Sequence, residues 1–173
     1  MSFPYTAYLD IETTGLSPIY SDITVIGIYL ENLEEERFIQ LIGDEITPFN
    51  LMLILEKVKD IYTFNGSRFD LPFIREKLGI DLKELFIHHD LMYKCWERNL
   101  YGGLKAVERK LGIERKLKEV DGRLAVILWE RYVRFDDKYA LEMLLLYNRE
   151  DVINLKILRE KLEEFDQLSL GQI

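Results

Sequence analysis

The chain has 173 residues, 48% of them hydrophobic, and a formal net charge of −8. These values exclude a disordered chain and a protein that coats nucleic acid with positive surface, and they predict one domain over residues 1–173. The single cysteine, Cys95, excludes an intramolecular disulfide and a cysteine-based zinc site. Because no apolar run could cross a bilayer and the first residues do not resemble a signal peptide, we expect a cytoplasmic protein without a membrane partner.

The first predicted strand lies within residues 5–16, YTAYLDIETTGL, and contains two acids. Side chains alternate along a strand, so Leu9 and Ile11 are expected on one face and Asp10 and Glu12 on the other. Two adjacent carboxylates repel each other and resist burial unless a cation lies between them. Oxygen ligands of this kind suit Mg²⁺ or Mn²⁺. A half-exposed strand whose polar face carries acids explains this stretch equally well.

The next elements predict a mixed α/β sheet. Two strands, residues 23–31 and 36–42, are joined by a short connection, which indicates a hairpin. Apolar periodicity and turn residues predict the rest: a helix over 48–59, strands over 61–64 and 85–88, and helices over 70–78, 104–111, 121–134 and 137–164. Strands that first meander and then alternate with helices indicate helices on both faces of the sheet.

A third acid, Asp70, follows the fourth predicted strand, at the edge where α/β proteins place ligands. Capping of the next helix would explain this residue by itself, and Asp90 has a similar position after the fifth strand. Asn65-Gly66 forms a predicted sharp turn, and Phe69 directly precedes Asp70. This combination indicates a shaped pocket beside a base or sugar, with a supporting role for Asp90 left open.

The last predicted helix carries Tyr147 and Asp151, which are four residues apart and therefore share a face. Leu144 and Leu155 lie on nearly the same face, so Asp151 is an acid on an apolar stripe. An unpaired buried acid is costly, which predicts a metal or a hydrogen-bond donor as its partner.

Three motifs together resemble those of the DEDD nuclease superfamily: DIETTGL from Asp10, FNGSRFDLPF from Phe64, and YNRED from Tyr147. The second is similar to the proofreading exonuclease of family-B DNA polymerases. The whole pattern resembles stand-alone ribonuclease-H-like exonuclease domains of the YprB type, over nearly all of residues 5–162. Tyr147, four positions before Asp151, indicates the tyrosine subclass.

The resemblance implies a ribonuclease-H-like fold with a five-stranded sheet in the order 3-2-1-4-5. It also implies two Mg²⁺ (or Mn²⁺) ions held by Asp10, Glu12, Asp70 and Asp151, with Tyr147 orienting the attacking water. Leu16 is expected to wedge against the terminal base. The other substrate contacts that it implies are Thr13, Thr14, Gly15, Asn65 and Phe69.

The charge is distributed unevenly along the chain. Residues 94–123 contain nine basic and five acidic residues, a net charge of +4 within a chain whose total is −8. We expect this segment to contact the phosphates of the substrate strand through five basic residues: Lys105, Arg109, Lys110, Arg115 and Lys116. A solvated helical face of mixed charge is the alternative.

The sequence therefore predicts an enzyme, a metal-dependent 3′-to-5′ exonuclease that releases nucleoside monophosphates from single-stranded nucleic acid with a free 3′ end. DNA is favoured over RNA, and the sequence does not identify a protein partner. One alternative is a structure-selective endonuclease on the same scaffold. The other is a catalytically inactive module that binds nucleic acid or protein, although such a module has no physical reason to keep four repelling carboxylates.

Overall fold

The computed structural model of the protein describes residues 3–170. Its strands are β1 (Tyr5–Thr13), β2 (Ile23–Glu31), β3 (Glu36–Ile42), β4 (Val58–Thr63) and β5 (Ile87–Asp90). They form one sheet in the order β3-β2-β1-β4-β5. β1 pairs antiparallel with β2 and parallel with β4, and β5 is parallel to β4. The mixed sheet and its predicted strand order are thereby confirmed.

Helices cover both faces of this sheet. They are α1 (Pro48–Leu55), α2 (Asp70–Leu78), α3 (Leu82–Leu85), α4 (Leu91–Trp96), α5 (Leu104–Leu111), α6 (Gly122–Phe135) and α7 (Lys138–Leu170), and a short 3-10 helix (Gly43–Glu45) follows β3. Within residues 3–170, no helix has both the length and the apolar character that crossing a bilayer requires.

The alternation along β1 divides the core into two layers. Leu9 belongs to the layer that also contains the buried side chains of α1 and α2. Tyr8 faces the opposite way, towards α5 and α7, and packs with Tyr29 and Tyr62 of the neighbouring strands. Because strand side chains have a period of two, Asp10 and Glu12 must share the face of Tyr8. The acids of β1 therefore face α7.

Several predicted boundaries are wrong. The helix expected over 48–59 ends at Leu55, because Val58 already pairs with Tyr5 in the sheet. The fifth strand begins at Ile87 and not at residue 85, since the short helix α3, which was not predicted, occupies the residues before it. Apolar periodicity does not distinguish a helix end from the start of a buried strand when the two lie two residues apart.

Candidate metal centre and nucleic-acid site

Three carboxylates from two distant parts of the chain meet on the α7 face of the sheet. Asp10 and Glu12 come from β1 and Asp151 from α7, and one carboxylate oxygen of each lies within 4.8 Å of the others. Glu12 and Asp151 are both only 7% exposed. This grouping is the arrangement expected for a divalent cation with oxygen ligands.

α7 brings Tyr147 and Asp151 to the sheet together. They lie one turn apart on the same helical face, as predicted, and Tyr147 is 7% exposed. Burial and the negative charges of Asp151, Glu12 and Asp10 raise the pKa of the Tyr147 phenol well above its ordinary value. The hydroxyl therefore remains protonated at neutral pH and can act as a hydrogen-bond donor, not as a base.

Crowding and burial act in the same direction on the acids. Burial raises the pKa of Asp10 and Glu12 well above their usual values, and repulsion from Asp151 adds to the effect. Burial also raises the pKa of Asp151, although Arg115 opposes the shift. Each shift means that the folded protein tolerates the ionised carboxylates poorly unless a cation compensates them.

Asp70 lies beside this cluster, not within it. It is the first residue of α2, and Phe69 takes the N-cap position, so the expected capping role of Asp70 is wrong. Its carboxylate accepts a hydrogen bond from the backbone N–H of Ile11 at 3.1 Å, which ties the start of α2 to β1. Burial raises the pKa of Asp70 to about 7. The acid remains close enough to line the same cavity as Asp10 and Glu12.

Asp90 supports the loop that leads to Asp70. Its carboxylate caps α4 by accepting from Met92 N, as predicted. It also accepts from the backbone N–H groups of Asn65 at 2.8 Å and Ser67 at 3.0 Å. Asn65 has a φ of 60°, a left-handed conformation that asparagine tolerates better than most residues. Asp90 therefore stabilises the turn that presents Asn65 to the cavity.

Asn148, which was not predicted as a site residue, holds Asp10 in place. Its side-chain amide donates to the Asp10 carboxylate at 3.1 Å, and its oxygen accepts from Gln40 at 2.9 Å. Gly27 lies directly opposite Asp10 in the β1–β2 register, and a Cβ there would come within 2.1 Å of the Asn148 oxygen. The position of Asn148 within the YNRED motif was the one available indication, because the contact with Gly27 depends on strand pairing.

A cavity of about 470 Å³ contains the acids. Of the predicted substrate contacts, Thr13, Gly15, Leu16, Asn65 and Phe69 line it. Thr14 is not among the lining residues, and its hydroxyl accepts from Asp22 N. Leu16 is 87% exposed at the rim, where it is free to contact a ligand.

Part of the lining of this cavity comes from the start of α6, which was not predicted as part of the site. Asp121, Gly122, Arg123 and Val126 line it there. Among the described lining residues, Arg123 is the only basic one, and the remaining charged groups are carboxylates. Its side chain is exposed and can reach an anionic ligand.

Lys105 and Arg109 line a second cavity of about 540 Å³, not the one with the acids. Lys116 and Lys118 line it as well, and Arg109 is exposed. The ammonium of Lys105 donates to the Val120 carbonyl and lies 5.3 Å from the ring centroid of Tyr147. The basic segment thus forms a positively charged surface next to the carboxylates.

Arg115 differs from the other basic residues of this segment. It also lines the second cavity, but it is only 8% exposed and binds Asp151 at 2.5 Å, which does not favour the expected contact with substrate phosphates. Its guanidinium is already paired with carboxylates of the protein, unlike the exposed Arg109 in the same cavity. Nothing in the local sequence distinguishes it from Lys116 or Lys118.

The comparison with known sequences supports the same fold. The sequence profile of the RNase H superfamily matches residues 7–163. The uncharacterized protein YprB of Bacillus subtilis (strain 168) is 26% identical over an alignment of 163 residues, and the match covers 86% of this chain. The chain spans 39% of the length of that relative.

Solved structures with a similar fold include nucleic-acid enzymes. The family B DNA polymerase of the archaeon Pyrobaculum calidifontis superposes with a TM-score of 0.61 and 13% identity, over 89% of this chain and 24% of the polymerase. Brucella melitensis NrnC with bound Mg²⁺ superposes with a TM-score of 0.59 and 19% identity, over 92% of this chain and 72% of NrnC. NrnC bound to pGG gives a TM-score of 0.58 at 18% identity, with the same coverage. At these identities the similarity shows a shared fold.

Proposed function

Because the chain belongs to the RNase H superfamily, we propose that it is a metal-dependent 3′-to-5′ exonuclease. Its substrate would be single-stranded nucleic acid with a free 3′ end, DNA in preference to RNA, and its products nucleoside monophosphates. The observation that carries the proposal is the grouping of Asp10, Glu12 and Asp151 within 4.8 Å, one turn of α7 from Tyr147. Repelling buried acids of this kind are costly unless a cation joins them.

The donor set fits two hard divalent cations. Asp10, Glu12 and Asp151 would hold one Mg²⁺ or Mn²⁺, and Asp70, which lines the same cavity, would contribute to the second. NrnC has been solved with bound Mg²⁺, which supports this choice of metal. When bound, such ions supply Lewis-acid stabilisation of the charge that develops on the phosphate and the leaving oxygen.

The chain's own residues would then position the reactants. Asn148 and the backbone N–H of Ile11 hold Asp10 and Asp70 in fixed orientations. Tyr147 keeps its proton because its pKa is raised, so its hydroxyl would orient the attacking water by hydrogen bonding without accepting the proton. A rigid arrangement of this kind lowers the entropic cost of in-line attack.

The rim of the acidic cavity suits a terminal nucleotide. Leu16 and Phe69 provide apolar surface for a base, and Asn65 provides an amide on a turn that Asp90 stabilises. Arg123 lines the same cavity, where it would contact a phosphate. The remaining strand would pass along the second cavity, whose exposed basic groups include Arg109.

Labelled oligonucleotides test this proposal directly. Single-stranded DNA and RNA of one sequence, labelled at the 5′ end, would be incubated with Mg²⁺, with Mn²⁺ or with a chelator. We expect products that shorten one nucleotide at a time from the 3′ end, faster on DNA, and no products in the chelator. Asp10→Asn serves as the inactive control, because it removes one metal-binding charge.

A matched oligonucleotide with a blocked 3′ end separates the alternatives. An exonuclease leaves it intact, whereas internal cleavage would identify a structure-selective endonuclease and contradict the proposed direction. Binding without cleavage under every metal condition would identify an inactive nucleic-acid-binding module. Cleavage that persists in the chelator would contradict the proposed metal centre.

A further inference from the structure

The carboxylate cluster has a cationic neighbour that belongs to the protein itself. Arg115 lies in the segment between α5 and α6, and its Nη2 atom is 2.5 Å from Oδ1 of Asp151. Its side chain is only 6% exposed. One of the three clustered acids is therefore paired with a buried positive charge, through one of its two oxygens.

Glu108 holds this arginine from the other side. Its carboxylate binds the guanidinium at two points, with Nε–Oε2 at 2.8 Å and Nη2–Oε1 at 2.7 Å. Glu108 is 1% exposed, and Asn154 of α7 donates to the same carboxylate at 2.9 Å. A planar guanidinium bound at two points has little freedom to rotate, so its orientation towards Asp151 is set by α5 and α7.

Attachment of the segment to α7 does not by itself account for Arg115. Glu150 already attaches it, because the Glu150 carboxylate accepts from the backbone N–H groups of Lys116 at 2.5 Å and Leu117 at 3.0 Å. A buried ion pair is also costly to form and is a weak source of net stability. The distinctive property of Arg115 is that it binds an acid of the cluster.

We propose that Arg115, held by Glu108, is a positioning residue of the metal centre that fixes the Asp151 carboxylate and serves as its counter-ion before a metal binds. The inference rests on the proposed function, because it assumes that Asp151 is a metal ligand. In the metal-free protein, Arg115 reduces the repulsion among the three carboxylates. When a divalent cation arrives, the ligand is already oriented, at the cost of a nearby positive charge that weakens metal binding.

Arg115→Met tests both parts of this role. Without the counter-ion, the metal-free protein should melt at a lower temperature, and Mn²⁺ should raise its Tm by more than it raises that of the parent. Turnover at saturating Mn²⁺ should fall by about 10- to 100-fold, as is typical when the support of a metal ligand is lost. The measurements are thermal unfolding with chelator or Mn²⁺ and single-turnover cleavage of single-stranded DNA.

Arg98→Met is the matched control. Arg98 binds Asp166, which belongs to α7 like Asp151, at 2.5 Å and away from the carboxylate cluster. Its removal should lower the Tm of the metal-free and Mn²⁺-bound forms equally and leave turnover unchanged. A purely structural Arg115 would behave in the same way, and that outcome would overturn the inference.

Arg115→Lys separates charge from geometry. Because lysine keeps the positive charge, the Mn²⁺-induced rise in Tm should stay near the parental value. Lysine cannot, however, form the planar two-point contact with Glu108. The turnover of Arg115→Lys should therefore be intermediate between that of the parent and that of Arg115→Met. If Arg115→Met does not fold, this variant decides: reduced turnover with a parental rise in Tm supports the inference, and parental turnover overturns it.

The outcomes distinguish this inference from the proposed function. A parent protein that neither cleaves DNA nor gains stability from Mn²⁺ would contradict the proposed function itself. A parent that does both, with Arg115 variants that match it, would contradict only the role of Arg115.

Discussion

α7 meets charged side chains of the sheet at two places along its length. At Lys156, the charges are matched: its ammonium lies 2.9 Å from Glu31 of β2, and the Tyr8 hydroxyl donates to Glu31 at 2.6 Å. Arg159 in turn donates to Tyr8 at 2.9 Å. At Asp151, five residues earlier, three acids meet and Arg115 alone pairs with the cluster among the described residues.

The charges between α7 and the sheet are thus balanced at one place and unbalanced at the other. At Lys156, basic groups of α7 pair with an acid of the sheet, and the contact stabilises the fold without any ligand. At the Asp151 end, acids exceed cations and the pKa of every clustered carboxylate is raised. The difference indicates that the second place depends on a cation from solution.

The largest expected effect comes from Asp151→Asn. Removal of one charge from the proposed metal centre should reduce cleavage by about 1,000-fold or more, because metal-ion stabilisation contributes several kcal/mol to the transition state. The metal-free protein should not be destabilised, because weaker repulsion among the acids offsets the loss of an ionised partner for Arg115. Single-turnover cleavage and Mn²⁺ calorimetry measure the effect, and full activity would contradict the role of Asp151.

Tyr147→Phe should have a smaller effect on the same site. The ring remains packed and only the hydroxyl is lost, so Mn²⁺ affinity should stay unchanged. We expect kcat to fall by roughly 10- to 1,000-fold, as for the loss of one positioning contact. Single-turnover cleavage at saturating Mn²⁺ measures kcat; if it proceeds at the parental rate, Tyr147 is an ordinary packed aromatic.

The raised pKa values predict a pH dependence of the metal-free protein. An aspartate in the unfolded chain has a pKa near 4, whereas the pKa of Asp70 in the folded protein is raised to about 7. Between these values the folded state binds more protons, so the free energy of unfolding should fall as pH rises, by roughly a few kcal/mol. Urea unfolding across this range measures the slope.

Two controls sharpen this measurement. Asp70→Asn should flatten the slope because it removes one of the titrating groups, and added Mn²⁺ should flatten it by stabilising the ionised acids. A free energy of unfolding that rises with pH in chelator would contradict the raised pKa values.

The smallest effect is expected at Lys156, where the charges of α7 and the sheet are matched. Lys156→Met removes the partner of Glu31, which should lower the free energy of unfolding by about 1 kcal/mol, as is typical of a partly exposed ion pair. Cleavage and metal affinity should not change, because this contact already has its own counter-ion. Urea unfolding and a cleavage assay test both expectations. An altered Mn²⁺ affinity would show that the contact at Lys156 is coupled to the carboxylate cluster.

Much of the framework could be predicted from local pattern. β2 and β3 have the predicted bounds, because their apolar runs are flanked by turn residues. The alternation along β1 places Asp10 and Glu12 on one face, and the four-residue spacing in α7 brings Tyr147 and Asp151 to it. Where two elements adjoin, as at residues 56–58, the same patterns misplaced the boundary because sheet pairing decided it.

By itself, therefore, the sequence determined which acids share a face, since the periods of strands and helices are properties of the backbone. The tertiary structure decided which charges meet across the chain. It placed Arg115 against Asp151 and Glu108, a pairing that the neighbouring lysines do not make, and it placed Gly27 where Asn148 needs room to reach Asp10. Such pairings depend on distances between elements that only the packing of α5 and α7 against the sheet establishes.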